Sequence, residues 1–209
     1  SAASDVYKRQ ALQVLACGAA IVTLSMGIRH GFGLWLQPLT QAHGWTRQIY
    51  GLAMAIQNLS WGVAGVFVGM LADRIGAFKV LIAGGLVYSL GLIGMAHADT
   101  PLQLMLSTGL MLGIAQAGTT YAVVYGVIGR NIPAERRSWA MGVAAAAGSF
   151  GQFLMVPLEG GLIEALGWQG ALLALAGMAL LILPLARGLL EPGFGAQASQ
   201  RREQSIVQA

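Results

Sequence analysis

The sequence predicts an all-α integral membrane protein with six transmembrane helices. Of its 209 residues, 56% are hydrophobic and only 10% are charged, whereas about 25% of an average soluble domain is charged. The apolar residues also collect into six long runs that are separated by short polar turns. About 20 apolar residues in a helix are enough to cross the ~30 Å hydrocarbon core of a bilayer.

The six runs follow one another along most of the chain. They cover residues 11–39, 48–72, 79–96, 102–128, 138–166 and 169–189. The first run is too long for a secretory signal peptide and lacks a cleavage site, so we expect it to be a true span.

The two ends of the chain differ from this body. Residues 1–10 (SAASDVYKRQ) contain no initiator Met and resemble translated adapter sequence, so the fold prediction excludes them. Residues 191–209 are rich in Gln, Gly and charged side chains, which indicates a solvated linker. The expected organisation is a non-native segment at 1–10, a six-helix half at 11–190 and the start of a cytoplasmic central loop at 191–209.

Lys and Arg residues favour one side of the predicted membrane. The turns on that side contain Arg74, Lys79, Arg130, Arg136, Arg137, Arg187, Arg201 and Arg202. The turns on the other side contain only Arg47, and Arg29 falls within the first span. Because cytoplasmic loops collect basic residues, we expect both ends in the cytoplasm and the protein in the inner (plasma) membrane.

Composition also argues against several classes of site. The net charge of +4 comes from scattered loop residues and not from a basic stripe, so no nucleic-acid partner is predicted. Cys17 is the only cysteine, which excludes a disulfide or a cysteine-based metal site within the chain. We predict no metal and no cofactor. The chain has no G-x-x-x-x-G-K-[ST] phosphate loop, so a gradient rather than ATP is the expected energy source.

The turn after the second span carries the most informative motif. Residues 69–76 read GMLADRIG, and Lys79 follows. This stretch resembles the loop signature G-x-L-A-D-R-x-G-R-K of major facilitator transporters, at the expected place between helices two and three. Two basic positions of the signature are apolar here. The resemblance implies a cytoplasmic gating loop, whose residues are Gly69, Asp73, Arg74 and Gly76.

The resemblance covers about residues 11–190 and implies a specific architecture. Major facilitators have two six-helix halves, and each half contains two three-helix inverted repeats. The chain then corresponds to the N-terminal half, and its expected partners are the lipid bilayer and a C-terminal six-helix half. The implied mechanism is alternating access by rocking of the two halves.

Further motifs suggest a branch of that family. Residues 27–38 (GIRHGFGLWLQP), followed by Gly44-Trp45, resemble the monocarboxylate and oxalate–formate branch, and residues 148–153 (GSFGQF) look like bacterial monocarboxylate permeases. The implied substrate is a small organic anion. Residues 157–161 (PLEGG) match only part of an export-associated pattern, so the direction of transport stays open.

Two ionisable groups inside the predicted spans are candidate functional residues. A charged side chain at mid-helix costs at least about 2.5 kcal/mol on insertion scales. Arg29 offers a positive charge and a fork of donors to a carboxylate, and the neighbouring His30 could donate a hydrogen bond or carry a proton. An internal ion pair and snorkelling to the surface remain alternatives for Arg29. Glu159 in the fifth span could neutralise Arg29 or carry a proton.

Uncharged polar residues near mid-membrane complete the candidate site. Gln57, Gln116 and Tyr121 are candidate substrate contacts, and bonds between helices are the alternative for each. Gln116 and Tyr121 are favoured because helices one and four line the cavity in the family that the chain resembles.

Other functions compete with anion transport. A drug or amphiphile efflux transporter of the same superfamily is the nearest alternative, although an intramembrane Arg is less expected there. An intramembrane serine protease is a remote alternative, because Ser149 stands in the wrong slot of its motif and no His follows His97. We therefore predict no enzyme. A transporter-like sensor is equally remote, since no large soluble appendage is visible.

Overall fold

The protein is entirely helical over the residues that the structure, a computed structural model, describes, which are 2–191. The N-terminal part contains α1 (Ala2–His30), a 3-10 turn (Gly31–Trp35), α2 (Leu36–His43), α3 (Arg47–Ile75) and α4 (Ala77–Ala96). The next part contains α5 (Pro101–Leu104), a π-helical segment (Met105–Met111), α6 (Leu112–Thr119) and α7 (Tyr121–Asn131). The last part contains α8 (Ala134–Ala179), α9 (Ile182–Ala186) and a 3-10 turn (Arg187–Leu189).

Five helical stretches are long and apolar enough to cross a membrane. They are Ser4–His43, Arg47–Ile75, Ala77–Ala96, Pro101–Asn131 and Ala134–Leu189. The all-α prediction is confirmed at this level. Residues 2–10 continue α1 as helix, whereas nearly all of the predicted tail, with Arg201 and Arg202, lies outside the described residues.

The last of these stretches is divided at Gly167. Its backbone angles are φ 74° and ψ 169°, which no helical residue adopts, and glycine tolerates a positive φ because it has no Cβ. Before Gly167, α8 runs parallel to α1, since Thr23 bonds to the carbonyl of Ala147 and Gly31 faces Glu159.

After Gly167 the direction is reversed. Trp35 donates to the carbonyl of Trp168 over 3.1 Å, while Gly18, seventeen residues earlier than Trp35, lies against Leu189. The segment after Gly167 therefore runs antiparallel to α1. The chain turns back on itself at Gly167.

Apolar side chains form two clusters along the length of the bundle. The cluster towards the His43 end includes Phe32, Trp35, Tyr88, Leu92 and Leu172. The cluster towards the Gly76 end includes Ile21, Val22, Leu81, Val124 and Ile128. Both clusters join α1, α4, the stretch Pro101–Asn131 and parts of α8 or α9, so these helices form the interior of the described bundle.

Helix α3 is the least covered element. Only Tyr50, Ala53, Gln57 and Ala72 of its 29 residues are buried. The exposed large apolar side chains on it are Leu52, Leu59, Val63, Val66, Phe67, Met70, Leu71 and Ile75. An apolar exposed face of this size suits contact with lipid or with another apolar helix.

Candidate functional site

Arg29 lies near the C-terminal end of α1 and its side chain is only partly buried. Its Nε donates to Oε1 of Gln116 on α6 over 3.2 Å, and one Nη donates to Oδ1 of Asn58 on α3. Gln116 is fully buried, while Asn58 is exposed. The guanidinium therefore stands at the boundary between the packed interior and the open side of the bundle.

An indole ring supports the same guanidinium. The Cζ atom of Arg29 lies 4.4 Å from the ring centroid of Trp61 on α3, within the range of a cation–π contact. The Trp61 Nε1 donates to Oγ1 of Thr120 over 3.2 Å, and that hydroxyl donates to the carbonyl of Gln116 over 2.7 Å. The contacts close a ring of four residues across three spans.

Part of the hydrogen-bonding capacity of Arg29 is unused. A guanidinium has five N–H donors, and the bonds that Arg29 makes to other described residues occupy two of them. The remaining donors suit a carboxylate, which accepts two parallel hydrogen bonds from a planar fork. No carboxylate oxygen of the described residues lies within 4 Å of Arg29, so its charge has no internal counterion at that distance.

The backbone beside this ring is irregular. The fourth span contains a π-helical segment after α5 and is interrupted at Thr120, where φ is −121° and ψ is −156°. An extended residue breaks the i to i−4 ladder of hydrogen bonds, and such backbone at membrane depth is tolerated only within protein or beside a cavity. Thr120 is itself buried, which meets that condition. We predicted a single span over residues 102–128, and the structure interrupts its helix at Thr120.

The other predicted substrate contacts lie elsewhere. His30 is exposed on the surface next to Arg29. Gln57 is buried, and its Nε2 donates to the carbonyl of Thr108 over 2.7 Å, so this amide joins α3 to the π-helical segment. The Tyr121 hydroxyl lies against Gly148 of α8, and its ring is 5.2 Å from that of Tyr125. The structure brings only Gln116 of this set to Arg29.

Glu159 on α8 is enclosed where α8 packs against Gly31, just after the end of α1. Its exposed fraction is 0%, and neither carboxylate oxygen has a hydrogen-bond partner among the described residues. Tyr50 and Tyr88 are buried in the apolar cluster at the same end of the bundle. Their hydroxyls donate to the backbone carbonyls of Phe32 and Ser25 instead. A buried charge without a partner costs several kcal/mol, so this environment favours the neutral carboxylic acid.

The predicted gating loop lies at the opposite end of the bundle. Gly76 ends α3 with φ 95° and ψ 145°, a conformation that favours glycine. Asp73 accepts from Nη1 of Arg130 over 2.7 Å, and the Nε of Arg130 is 3.1 Å from the carboxylate of Glu191. The loop is thereby tied to the ends of the fourth span and of the last helical segment.

The remaining loop residues face away from the described bundle. Arg74 is exposed. A Cβ added at Gly69 would meet no atom within 4 Å, and the same holds for Gly65 one turn earlier. Within residues 2–191, no helix packs closely on Gly69.

Sequence reasoning missed the role of Trp61 in this site. The sequence does place Trp61 beside a polar residue of the same span. Asn58 and Trp61 are three residues apart and hence share one face of a helix. Neither residue reveals from sequence alone that its face meets Arg29. Within residues 2–191, no three His, Cys, Asp or Glu side chains are grouped as metal ligands would be.

Comparison with known proteins adds a family context. A model of the Major Facilitator Superfamily matches residues 15–208. Monocarboxylate transporter 11 of Mus musculus is 32% identical over 183 residues, which are 86% of this chain and 39% of that protein. Monocarboxylate transporter 14 of Homo sapiens is 31% identical over 173 residues, which are 81% of this chain and 32% of that protein.

A plant relative is named for a broader substrate class. The probable anion transporter 3, chloroplastic, of Oryza sativa subsp. japonica is 31% identical over 143 residues, or 67% of this chain and 25% of that protein. The chain thus spans between a quarter and two fifths of the length of these relatives.

Proposed function

The chain belongs to the major facilitator superfamily, and from that premise we propose that it is the N-terminal half of a secondary transporter for a small organic anion, in the first place a monocarboxylate. Transport proceeds by alternating access, in which two halves rock about a central site. Helices that are apolar enough to cross a membrane agree with a multi-pass membrane protein. The names of the relatives favour an anionic substrate over the efflux alternative.

The proposed half has six spans arranged as two three-helix repeats. The reversal of the chain at Gly167 supports counting its last long helical stretch as two spans. The distribution of basic residues supports cytoplasmic ends and a location in the inner (plasma) membrane. The exposed apolar face of α3 is a suitable contact for the second half.

One observation carries the substrate proposal: Arg29 stands at the open side of the bundle with no carboxylate within 4 Å among the described residues. Its unused donors would receive the substrate carboxylate as a bidentate pair. The bonds to Gln116 and Asn58 would hold the fork in place during binding. Gln116 therefore acts by orienting Arg29, whereas His30 lines the approach from the open surface.

The experiment is uptake of labelled acetate, lactate and pyruvate by the full-length protein in proteoliposomes. We expect Arg29→Gln to abolish saturable uptake and Arg29→Lys to retain part of it, since Lys keeps the charge but not the fork. Arg187→Gln is the matched control, because Arg187 is an exposed basic residue at the opposite end of the bundle. Uptake by Arg29→Gln equal to that of the control would reject the proposal.

Glu159 is the proposed proton carrier of the same transporter. Its burial without a partner favours the protonated state in this conformation, and release of the proton requires a conformation that opens the site. We expect Glu159→Gln to keep exchange of labelled for unlabelled substrate but to lose accumulation driven by a pH gradient. Glu164→Gln on the exposed face of the same helix is the control. Unchanged gradient-driven accumulation in Glu159→Gln would exclude this role.

The loop containing Gly69, Asp73, Arg74 and Gly76 is the proposed cytoplasmic gate. Its pairing with Arg130 and the open space over Gly69 support a latch between this half and the second half.

A further inference from the structure

One residue in contact with the Arg29 guanidinium, Trp61, has no role in the proposed binding of the substrate carboxylate. Trp61 contributes both the face of its indole to Arg29 and its single N–H to Thr120. An indole has only that one donor, and a partly buried Trp could use it in many places. Here it reaches the one residue at which the fourth span is extended rather than helical.

The hydroxyl of Thr120 makes two hydrogen bonds in this arrangement. It donates to the carbonyl of Gln116 and accepts from Trp61. Gln116 in turn accepts from Arg29 through its side chain. Each contact restrains the next, so the indole plane is fixed by the break in the fourth span, and the guanidinium plane is fixed by the indole and by Gln116.

A fixed guanidinium plane matters for a carboxylate more than for a simple anion. Bidentate recognition needs two N–H bonds parallel to the carboxylate plane, whereas attraction to a point charge has no such requirement. Arg29 stands at an open surface, where an unsupported side chain would sample many rotamers. Restricting those rotamers before binding reduces the entropy cost of ordering the side chain in the complex.

We infer that Trp61 is a positioning residue for anion recognition, which acts by holding the plane of Arg29 through a hydrogen bond to the break at Thr120. The inference rests on the proposed function, because it assigns Arg29 to the substrate carboxylate. Trp61 and Thr120 set the affinity of the site without providing a charge.

The test uses the full-length protein in proteoliposomes and the same panel of acetate, lactate and pyruvate. Trp61→Phe keeps an aromatic ring and removes the N–H, and Thr120→Val keeps the shape and removes the hydroxyl. Trp61→Phe should raise KM about fivefold, the effect of one lost neutral hydrogen bond, with Vmax unchanged. Thr120→Val also loses the bond to the carbonyl of Gln116, so it should raise KM at least as much, again with Vmax unchanged. Trp61→Leu removes the ring as well and should raise KM by about tenfold or more.

A double variant best distinguishes a positioning role of Trp61, through its hydrogen bond, from a role in packing alone. Because Thr120→Val already removes the acceptor of the Trp61 N–H, adding Trp61→Phe should change little, and the double variant should resemble Thr120→Val alone. Trp139→Phe is the control, since Trp139 is 65% exposed and lies far in sequence from Trp61 and Thr120. Addition of lactate should change the tryptophan fluorescence of the wild type and of the control, and this change should be reduced in Trp61→Phe.

The outcomes separate the two proposals. Loss of uptake in Arg29→Gln together with an unchanged KM in Trp61→Phe would overturn the role of Trp61 and leave Arg29 as the anion site. A fall in Vmax without a change in KM, or additive effects in the double variant, would identify packing and would also overturn it. Normal uptake in Arg29→Gln would instead remove the proposed function on which the inference rests.

Discussion

The contact between Gly31 and Glu159 makes a sharp prediction about stability. A Cβ added at Gly31 would overlap Oε2 and Cδ of Glu159. Ordinary contacts begin more than 3 Å apart, so the carboxyl group must move by about 2 Å. Glu159 has no exposed surface into which it could swing. Overpacking of a core costs about 1–3 kcal/mol, and we expect Gly31→Ala to reach the upper end.

The same contact predicts a specific rescue. Glu159→Ala removes the obstructing carboxyl group together with its unsatisfied oxygens, so the double variant Gly31→Ala/Glu159→Ala should recover most of the lost stability. Gly33→Ala is a matched control in the same 3-10 turn, because a Cβ there meets no atom within 4 Å.

Thermal unfolding of the full-length protein in detergent measures these effects. Gly31→Ala should lower Tm by several degrees, while the control and the double variant should stay close to the wild type. If Gly31→Ala and Gly33→Ala had the same Tm, or if the double variant were no more stable than Gly31→Ala, the close packing of Glu159 on α1 would be refuted.

Three further predictions concern other parts of the structure. Gln57→Leu should destabilise the protein by about 1–3 kcal/mol, because it leaves the carbonyl of Thr108 without its donor; an unchanged Tm would contradict the buried bond. Asp73→Asn should change stability by less than about 1 kcal/mol, since its ion pair with Arg130 is solvent-exposed, but should lower Vmax of uptake; normal Vmax would exclude a gating role. Gly167→Ala should cost about 1–2 kcal/mol of stability, because φ is 74° there, and an unchanged Tm would mean that the chain does not turn at this residue.

Much of the architecture was predictable because lipid imposes a simple rule. Backbone groups in hydrocarbon must pair within their own segment, so long apolar runs predict helices, and the positions of the turns follow. The run from 134 to 189 shows the limit of this rule. The stretch is mostly apolar on both sides of residue 167, and only Gly167-Trp168 indicated the turn that the φ of Gly167 produces.

The candidate site was predictable only in part. The cost of a charge in the membrane singled out Arg29 and Glu159 as candidate functional residues, because that cost depends on residue type and depth. Their partners depend on which helix faces meet. The bond from Gln57 to Thr108 and the stacking of Arg29 on Trp61 result from the packing of α3, and no local pattern encodes that packing.

The interruption of the fourth span was not predictable from composition. Thr120 is a common residue in helices of membrane proteins, where its hydroxyl bonds to the carbonyl four residues earlier, as it does here to Gln116. That bond alone does not require an extended backbone. The additional bond from Trp61 comes from another span, so the two together become visible only in the folded chain.

Equilibrium binding tests the assignment of Arg29 most directly, because it separates recognition of the anion from movement of the two halves. The measurement is a titration of the purified full-length protein with lactate, carried out on the wild type, on Arg29→Gln and on the control Arg187→Gln. We predict saturable binding by the wild type and the control, and a Kd at least about tenfold weaker in Arg29→Gln, as expected for the loss of a charge-assisted bidentate pair. Equal Kd values in the three proteins would contradict the central claim that Arg29 receives the substrate carboxylate.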